Sequence, residues 1–288
     1  MLPSLALQAA AAALCGIDIV VRAARIRLLV PDAAGSRPSL TFAHAIALNA
    51  YGDAAAAITP GRLGGDPARF AGFRRARIDT PRAIAALAVE ALIDWVLLVA
   101  ASVGLALAFG DTVALGARRL ASLAAGPQVR ALVALTLALA LASAVAWRRL
   151  RHRVPQGLAT SLAESWRQSR AVGPRTVAVA GSLTTLSMLV RTAILPVLAA
   201  GLPGLDPRAV LVGSFALLYG QLIVPTPAGA GAVELGFLGG FGGGAGLLLA
   251  WRAYTLLLPA GLGAVLAARA ALATRARGAT PASPPTSS

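Results

Sequence analysis

The sequence predicts an all-α polytopic membrane protein of about five to eight membrane segments. Two broken, re-entrant helical elements within it form an inverted repeat. Composition gives the first reason: 57% of residues are hydrophobic and only 13% charged, where a soluble domain would carry about a quarter charged residues. The second is a set of apolar runs near the roughly 20 residues that cross a bilayer core. The third is a pair of Pro/Gly-rich interruptions inside such runs, "ITPGRLGGD" at 58–66 and "VPTPAGAGAVE" at 224–234.

In chain order the apolar segments fall at roughly 3–21, 40–59, 83–109, 130–147, 176–200, 209–224, 231–246 and 247–268. Residues 3–21 read as a retained helix, because no basic stretch precedes it and Leu14 is the wrong neighbour for a lipoprotein cysteine. Cys15 is the lone cysteine, so it is assigned to packing; no Cys/His spacing suggests a metal site, with His44 and His152 far apart. Residues 1–272 form one transmembrane domain, and 273–288 are a Pro/Ser-rich tail expected to be disordered.

The formal charge is +15 and every basic residue is Arg. Most of these arginines lie in short loops at 22–37, 62–82 and 148–175 and at the C-terminal end. That placement is a topology signal with attraction to anionic headgroups, and it argues against nucleic acid. All four clusters then belong on the cytoplasmic side, and the C-terminus with them. Segment 40–59 must in that case enter and return, and 209–224 with 231–246 must do so from the opposite side. The alternative makes each a full crossing and exports one arginine-rich loop.

The two interruptions align from Thr59 and Pro60 to Thr226 and Pro227, and end on acids, Asp66 and Glu234. An inverted pair of broken segments points to a transporter's binding site. Pro225 and Pro227 stop a helix, and Gly229 and Gly231 let backbone approach closely. A helix restarting after them presents free N–H groups to an anion such as a lipid phosphate. The other reading is a kinked packing helix. Glu234 reads either as a helix-start acid or as a functional intramembrane group.

Glu90 and Asp94 lie one turn apart on one helix face, either coupled carboxylates suited to proton transfer or a solvated interfacial pair. Arg191 sits deep in segment 176–200, as a partner for Glu234 or for Glu90 and Asp94, or as a phosphate contact. Arg252, in the last helix, reads as a snorkelling residue. Arg62 and Arg69 flank the first turn and read as headgroup ligands or as topology signals. Asp18 and Arg22 form an i,i+4 structural pair.

The motifs carry a family resemblance. "LNAYGDAAAAITPGRLGGDPARF" resembles a run in the flippase-like membrane domain of lysylphosphatidylglycerol synthases, a family of bacterial and archaeal membrane proteins. Asn49, Pro60, Gly61, Arg62, Gly64 and Arg69 match, and Asp66 stands where Glu is usual. "VEALIDW" is similar through Glu90 and Asp94, with Ala91 replacing an arginine. "PTPAGAGAVE" is similar through Pro225, Thr226, Pro227, Gly229, Gly231 and Glu234, with Ala228 replacing a glycine. Arg252 and Pro259 follow in the family's order.

The resemblance implies a multi-pass protein of the bacterial inner membrane that translocates or binds an anionic or glycosylated lipid. The family's aminoacyl-transferring soluble domain is not in this chain, so lysine transfer is not expected of it. Relatives commonly carry one more N-terminal helix, without which this N-terminus would lie outside. Arg62, Arg69, Arg191, Gly229 and Gly231 are the anion-binding candidates; Glu234, Glu90, Asp94 and Asp66 the coupling or gating acids. Asn49, Pro60, Gly61, Gly64, Pro225, Thr226 and Pro227 shape the breaks. No catalytic residue, cofactor or metal is expected. Membrane lipids are the expected partners, with a homo-oligomer or an envelope enzyme as further ones. The alternative functions are a non-transporting scaffold for a lipid or glycolipid enzyme and a small-solute transporter.

Overall fold

The computed structural model describes residues 3–30, 40–59, 61–124, 145, 149, 156–222, 234, 237–238 and 244–278. All regular structure among them is helical. The chain runs α1 (Leu5–Leu28), α2 (Phe42–Ile58), α3 (Gly65–Arg75), α4 (Thr80–Ala108), α5 (Gly110–Ala124), α6 (Gln156–Arg170), α7 (Pro174–Ala199) and α8 (Pro207–Gly220). It ends with α9 (Ala245–Arg252), a π-helical turn (Ala253–Leu257) and α10 (Leu258–Gly278). Among the described residues, four stretches are long and apolar enough to cross a membrane: α1, α4, α7 and the continuous Ala245–Ala273. On α4, Leu92, Trp95, Val96, Val99, Val103 and Leu107 are exposed, an apolar surface that suits lipid and not water.

The first helix corrects the sequence reading. It does not end at residue 21 but continues through Leu28, so Arg22 and Arg25 lie on the helix and not in a loop. Asp18, Arg22 and Arg25 share one helical face by their spacing, and that face is turned inward, with Asp18 and Arg25 buried. Likewise α6 is a helix within the expected 148–175 loop, and α10 continues past residue 272, where the tail was expected. Segment 130–147, apart from Val145, and the tail beyond 278 lie outside the described residues.

α2 and α3 are the arms of an antiparallel hairpin. Leu48 meets Gly72, and Gly52 meets Arg69 and Gly65. A Cβ on Gly52 would stand 2.6 Å from Arg69 Cγ, so glycine is what brings the arms together. The hairpin therefore starts and finishes at the same end of the molecule, the arginine-rich end reached by α1. Its first arm packs on α10, where backbone meets backbone: a Cβ on Gly263 would fall 1.9 Å from Ala50 O. α8 starts at the opposite end, after α7, and packs back along α7, with Ser214 Oγ donating to Thr192 O at 2.7 Å.

Two apolar clusters hold these elements. Ala23, Ile26, Leu48, Phe73 and Ala83 join α1–α4. Ile194, Leu195, Leu217, Leu247 and Trp251 join α7, α8 and α9. Along α1, Ala11 belongs to the second cluster and Ala23 and Ile26 to the first. Asp18 and Arg22 fall between the two. That gap is where the charged groups gather.

Candidate anion site between the broken elements

The first break is built by its own short-range chemistry. Thr59 Oγ1 donates back to Ala55 O at 2.8 Å and accepts from Gly64 N at 2.8 Å, closing the loop on itself. Gly64 has no space for a side chain, since a Cβ there would lie 2.7 Å from Thr59 Cγ2. Gly61 and Arg62 both adopt left-handed backbone, φ +56° and +60°. Glycine does so freely; for arginine the conformation costs roughly 1–2 kcal/mol. Strain of this kind, held at the tip of a turn, aims a side chain that an ordinary turn would not.

Arg62 is aimed at the second broken element. Its Nη1 donates to Gln221 Oε1 at 3.3 Å, and Gln221 caps α8 immediately before the second interruption. The amide is oriented by its other end, which donates to Leu217 O at 2.9 Å. The tips of the hairpin and of α8 thus meet inside the protein. Pro60, Pro225, Thr226, Pro227, Gly229 and Gly231 lie outside the described residues, and so does the second turn itself.

Around this junction runs a chain of ions. Arg22 grips Asp53 with both nitrogens, at 3.0 and 2.6 Å. Its Nε lies 3.1 Å from Asp18, and Ser187 Oγ donates to Asp18 at 2.5 Å. Arg62 stands 3.8 Å from Asp53, and Arg191 stands 3.8 Å from Asp18. Both carboxylates are therefore already taken by Arg22, and the two outer guanidiniums have only long contacts. Arg191 also repels Arg62 electrostatically, as do Arg22 and Arg252. Among the described residues, three guanidiniums (Arg22, Arg62, Arg191) face two carboxylates (Asp18, Asp53), a surplus of one positive charge.

Two neighbouring clusters leave no cation over: Arg25 and Arg69 face Glu90, Asp94 and the exposed Asp66, and Arg252 faces Glu234. Arg25 bridges Glu90 and Asp94, the latter at 2.5 Å, and takes Thr184 Oγ1 at 2.7 Å. Arg69 closes on Glu90 from the other side, with Asp66 a further 3.5 Å partner. Farther along, Arg252 pairs with Glu234 and lies over the Trp251 ring at 5.3 Å.

The predicted site residues sort accordingly. Arg62 and Arg191 come together at the junction, with Asn49 beside Arg22 and Asp53 in a crevice walled by Ile19, Ile46, Pro259 and Leu262. Arg69 is directed to Glu90, away from the junction. Arg191 takes Asp18 as its acid, where Glu234 or Glu90 and Asp94 were expected. Arg252 is buried against Glu234 and does not snorkel. Glu90 is 1% exposed, which removes the solvated reading for it. Asp94 has a side chain 47% exposed and is the outer member of that pair.

Sequence reasoning missed Asp53, Arg25, Gln221, Ser187 and Thr184. One signal was available: Asp18, Arg22 and Arg25 recur at helical spacing, so one face of an apolar helix carried all three. Nothing local marks Gln221, whose partner is 159 positions away.

The family model described as lysylphosphatidylglycerol synthase TM region matches residues 3–276. No curated protein and no solved structure matches the chain.

Proposed function

The chain belongs to the lysylphosphatidylglycerol synthase TM region family, and from that premise we propose that it binds an anionic lipid headgroup between its two broken elements and carries it across the membrane. The observation that supports this reading is the surplus guanidinium charge at the junction. A cation buried in a low-dielectric interior is costly unless an anion or a dense set of hydrogen bonds meets it. Asp18 and Asp53 are held by Arg22 at short range, which leaves Arg62 and Arg191 free to turn to a phosphate. Arginine suits that task, because its planar fork matches two phosphate oxygens.

Depth fits as well. At about 1.5 Å per residue, the α2 arm carries Arg62 some 25 Å from the arginine-rich end. That is most of the way across a hydrocarbon core of about 30 Å, far from the leaflet at the arginine-rich end. Taking the arginine-rich end as cytoplasmic, the protein would sit with its C-terminus inside. A scaffold with no ligand would have its charged groups facing separate interfaces. Here Arg22, Arg62 and Arg191 converge on Asp18 and Asp53, which favours a carrier.

The test is transport in reconstituted vesicles of headgroup-labelled lipids, with and without Arg62→Ala and Arg191→Ala. The expected result is at least a tenfold loss of translocation in either variant. Wild-type vesicles indistinguishable from protein-free ones across anionic, zwitterionic and glycosylated lipids would turn the reading toward a scaffold.

A further inference from the structure

Gln221 holds Arg62 without neutralising it. A neutral amide accepts the guanidinium proton at 3.3 Å, and its Nε2 is anchored on Leu217 O, so the oxygen end stays turned to Arg62. A glutamate is the same length and would make a charge-assisted bond at the same place. It would also cancel the one surplus charge. The sequence around the junction offers no other countercharge, since residues 222–233 contain no ionisable side chain. The nearby Arg252 is matched by Glu234, and Arg25 and Arg69 by Glu90 and Asp94.

We propose that the junction of Arg62, Gln221 and Arg191 counts charge: it accepts a headgroup bearing one negative charge, a phosphodiester or sulfonate monoanion, and Gln221 is the residue that sets that number. This rests on the headgroup reading above and specifies it. A monoanion brings the cluster to neutrality. An uncharged headgroup leaves the repulsion among Arg22, Arg62 and Arg191 in place. A doubly charged phosphomonoester reverses the imbalance beside Asp18 and Asp53. In a medium where unit charges interact strongly, each error is penalised. The monoanion also draws Arg62 and Arg191 toward one point.

The experiment uses the full chain purified in detergent and measures affinity by lipid-dependent thermal shift. The probes are phosphatidylglycerol (one charge), phosphatidylcholine (zwitterionic), phosphatidate above its second ionisation (two charges) and soluble dimethyl phosphate. Wild type should prefer phosphatidylglycerol over the doubly charged probe by at least tenfold. Gln221→Glu should bind phosphatidylglycerol at least tenfold more weakly while melting, without lipid, at the same or a higher temperature. The second half of that result separates charge cancellation from misfolding. Asp53→Asn, with two surplus charges, should shift its preference toward phosphatidate.

Unchanged phosphatidylglycerol affinity in Gln221→Glu, or equal affinity of wild type for the two anionic lipids, overturns the charge rule. If dimethyl phosphate protects as well as the lipid at equal concentration, the ligand is a free anion and the lipid assignment falls. Loss of the headgroup reading has its own signature: Arg62→Ala then binds phosphatidylglycerol like wild type.

Discussion

Arg22 and Arg25 stand one turn apart on the same helix, yet they anchor two clusters of opposite character. Arg25 and Arg69 meet Glu90, Asp94 and the exposed Asp66, so no cation is left over, with Thr184 completing the shell. Arg22 meets Asp18 and Asp53 but shares them with Arg62 and Arg191, and one charge is left over. The paired cluster ties α1, α3, α4 and α7 together. The unbalanced one lies between the first break and the end of α8, where the proposed headgroup would bring the counter-ion. Pairing builds the frame, and mismatch marks the place where we propose that a ligand binds.

The comparison can be broken most forcefully at Glu90. Glu90→Ala should leave Arg25 and Arg69 confronting each other in the interior. Removing one partner from a buried ion pair costs about 3–5 kcal/mol, so the purified variant should melt far below wild type or fail to accumulate. A small change in melting temperature would mean that the paired cluster does not carry the frame. A second large effect is expected at Gly263→Val, which drives a side chain into Ala50 O. Folded yield should drop sharply there, and restoring Gly or testing Ala should grade the loss by side-chain size.

Stability and transport are expected to separate in the other cluster. Arg62→Gln removes a repelling charge and should change the melting temperature little, while translocation falls at least tenfold. A parallel loss of stability and transport in this variant would erase the distinction between the two clusters. The smallest effect is expected at Thr59→Val, which forfeits the two hydrogen bonds that lock the turn. Each is worth about 0.5–1.5 kcal/mol net, so a drop of a few degrees in melting temperature should accompany reduced transport as Arg62 loses its aim.

The fold was legible where physics is local. Long apolar runs located α1, α4, α7 and the last span, and Thr-Pro-Gly patterns located the first break. Glu90 and Asp94 were correctly placed on one face, and Arg191 was correctly placed inside the membrane segment. The partners were not legible, because they depend on which helix lies beside which. Asp53 is one acid among alanines until Arg22 is known to reach it from α1. Arg25 looked like a loop residue because arginine usually marks a membrane boundary. It stays in the helix because Glu90, Asp94 and Thr184 solvate it in place of water.

The π-helical turn at Ala253–Leu257 joins two helices that the sequence presents as one continuous span. Cys15 Sγ donates to Tyr254 O there at 3.2 Å, tying the turn to α1. One extra residue in a turn rotates everything downstream by about 100°. The face that points Arg252 at Glu234 and the face that lays Gly263 on Ala50 are therefore out of phase with a single helical wheel. Deleting a residue from this turn would restore a regular helix, and with it force a choice: Arg252 could keep its acid, or Gly263 its backbone contact, but one rotation could not serve both.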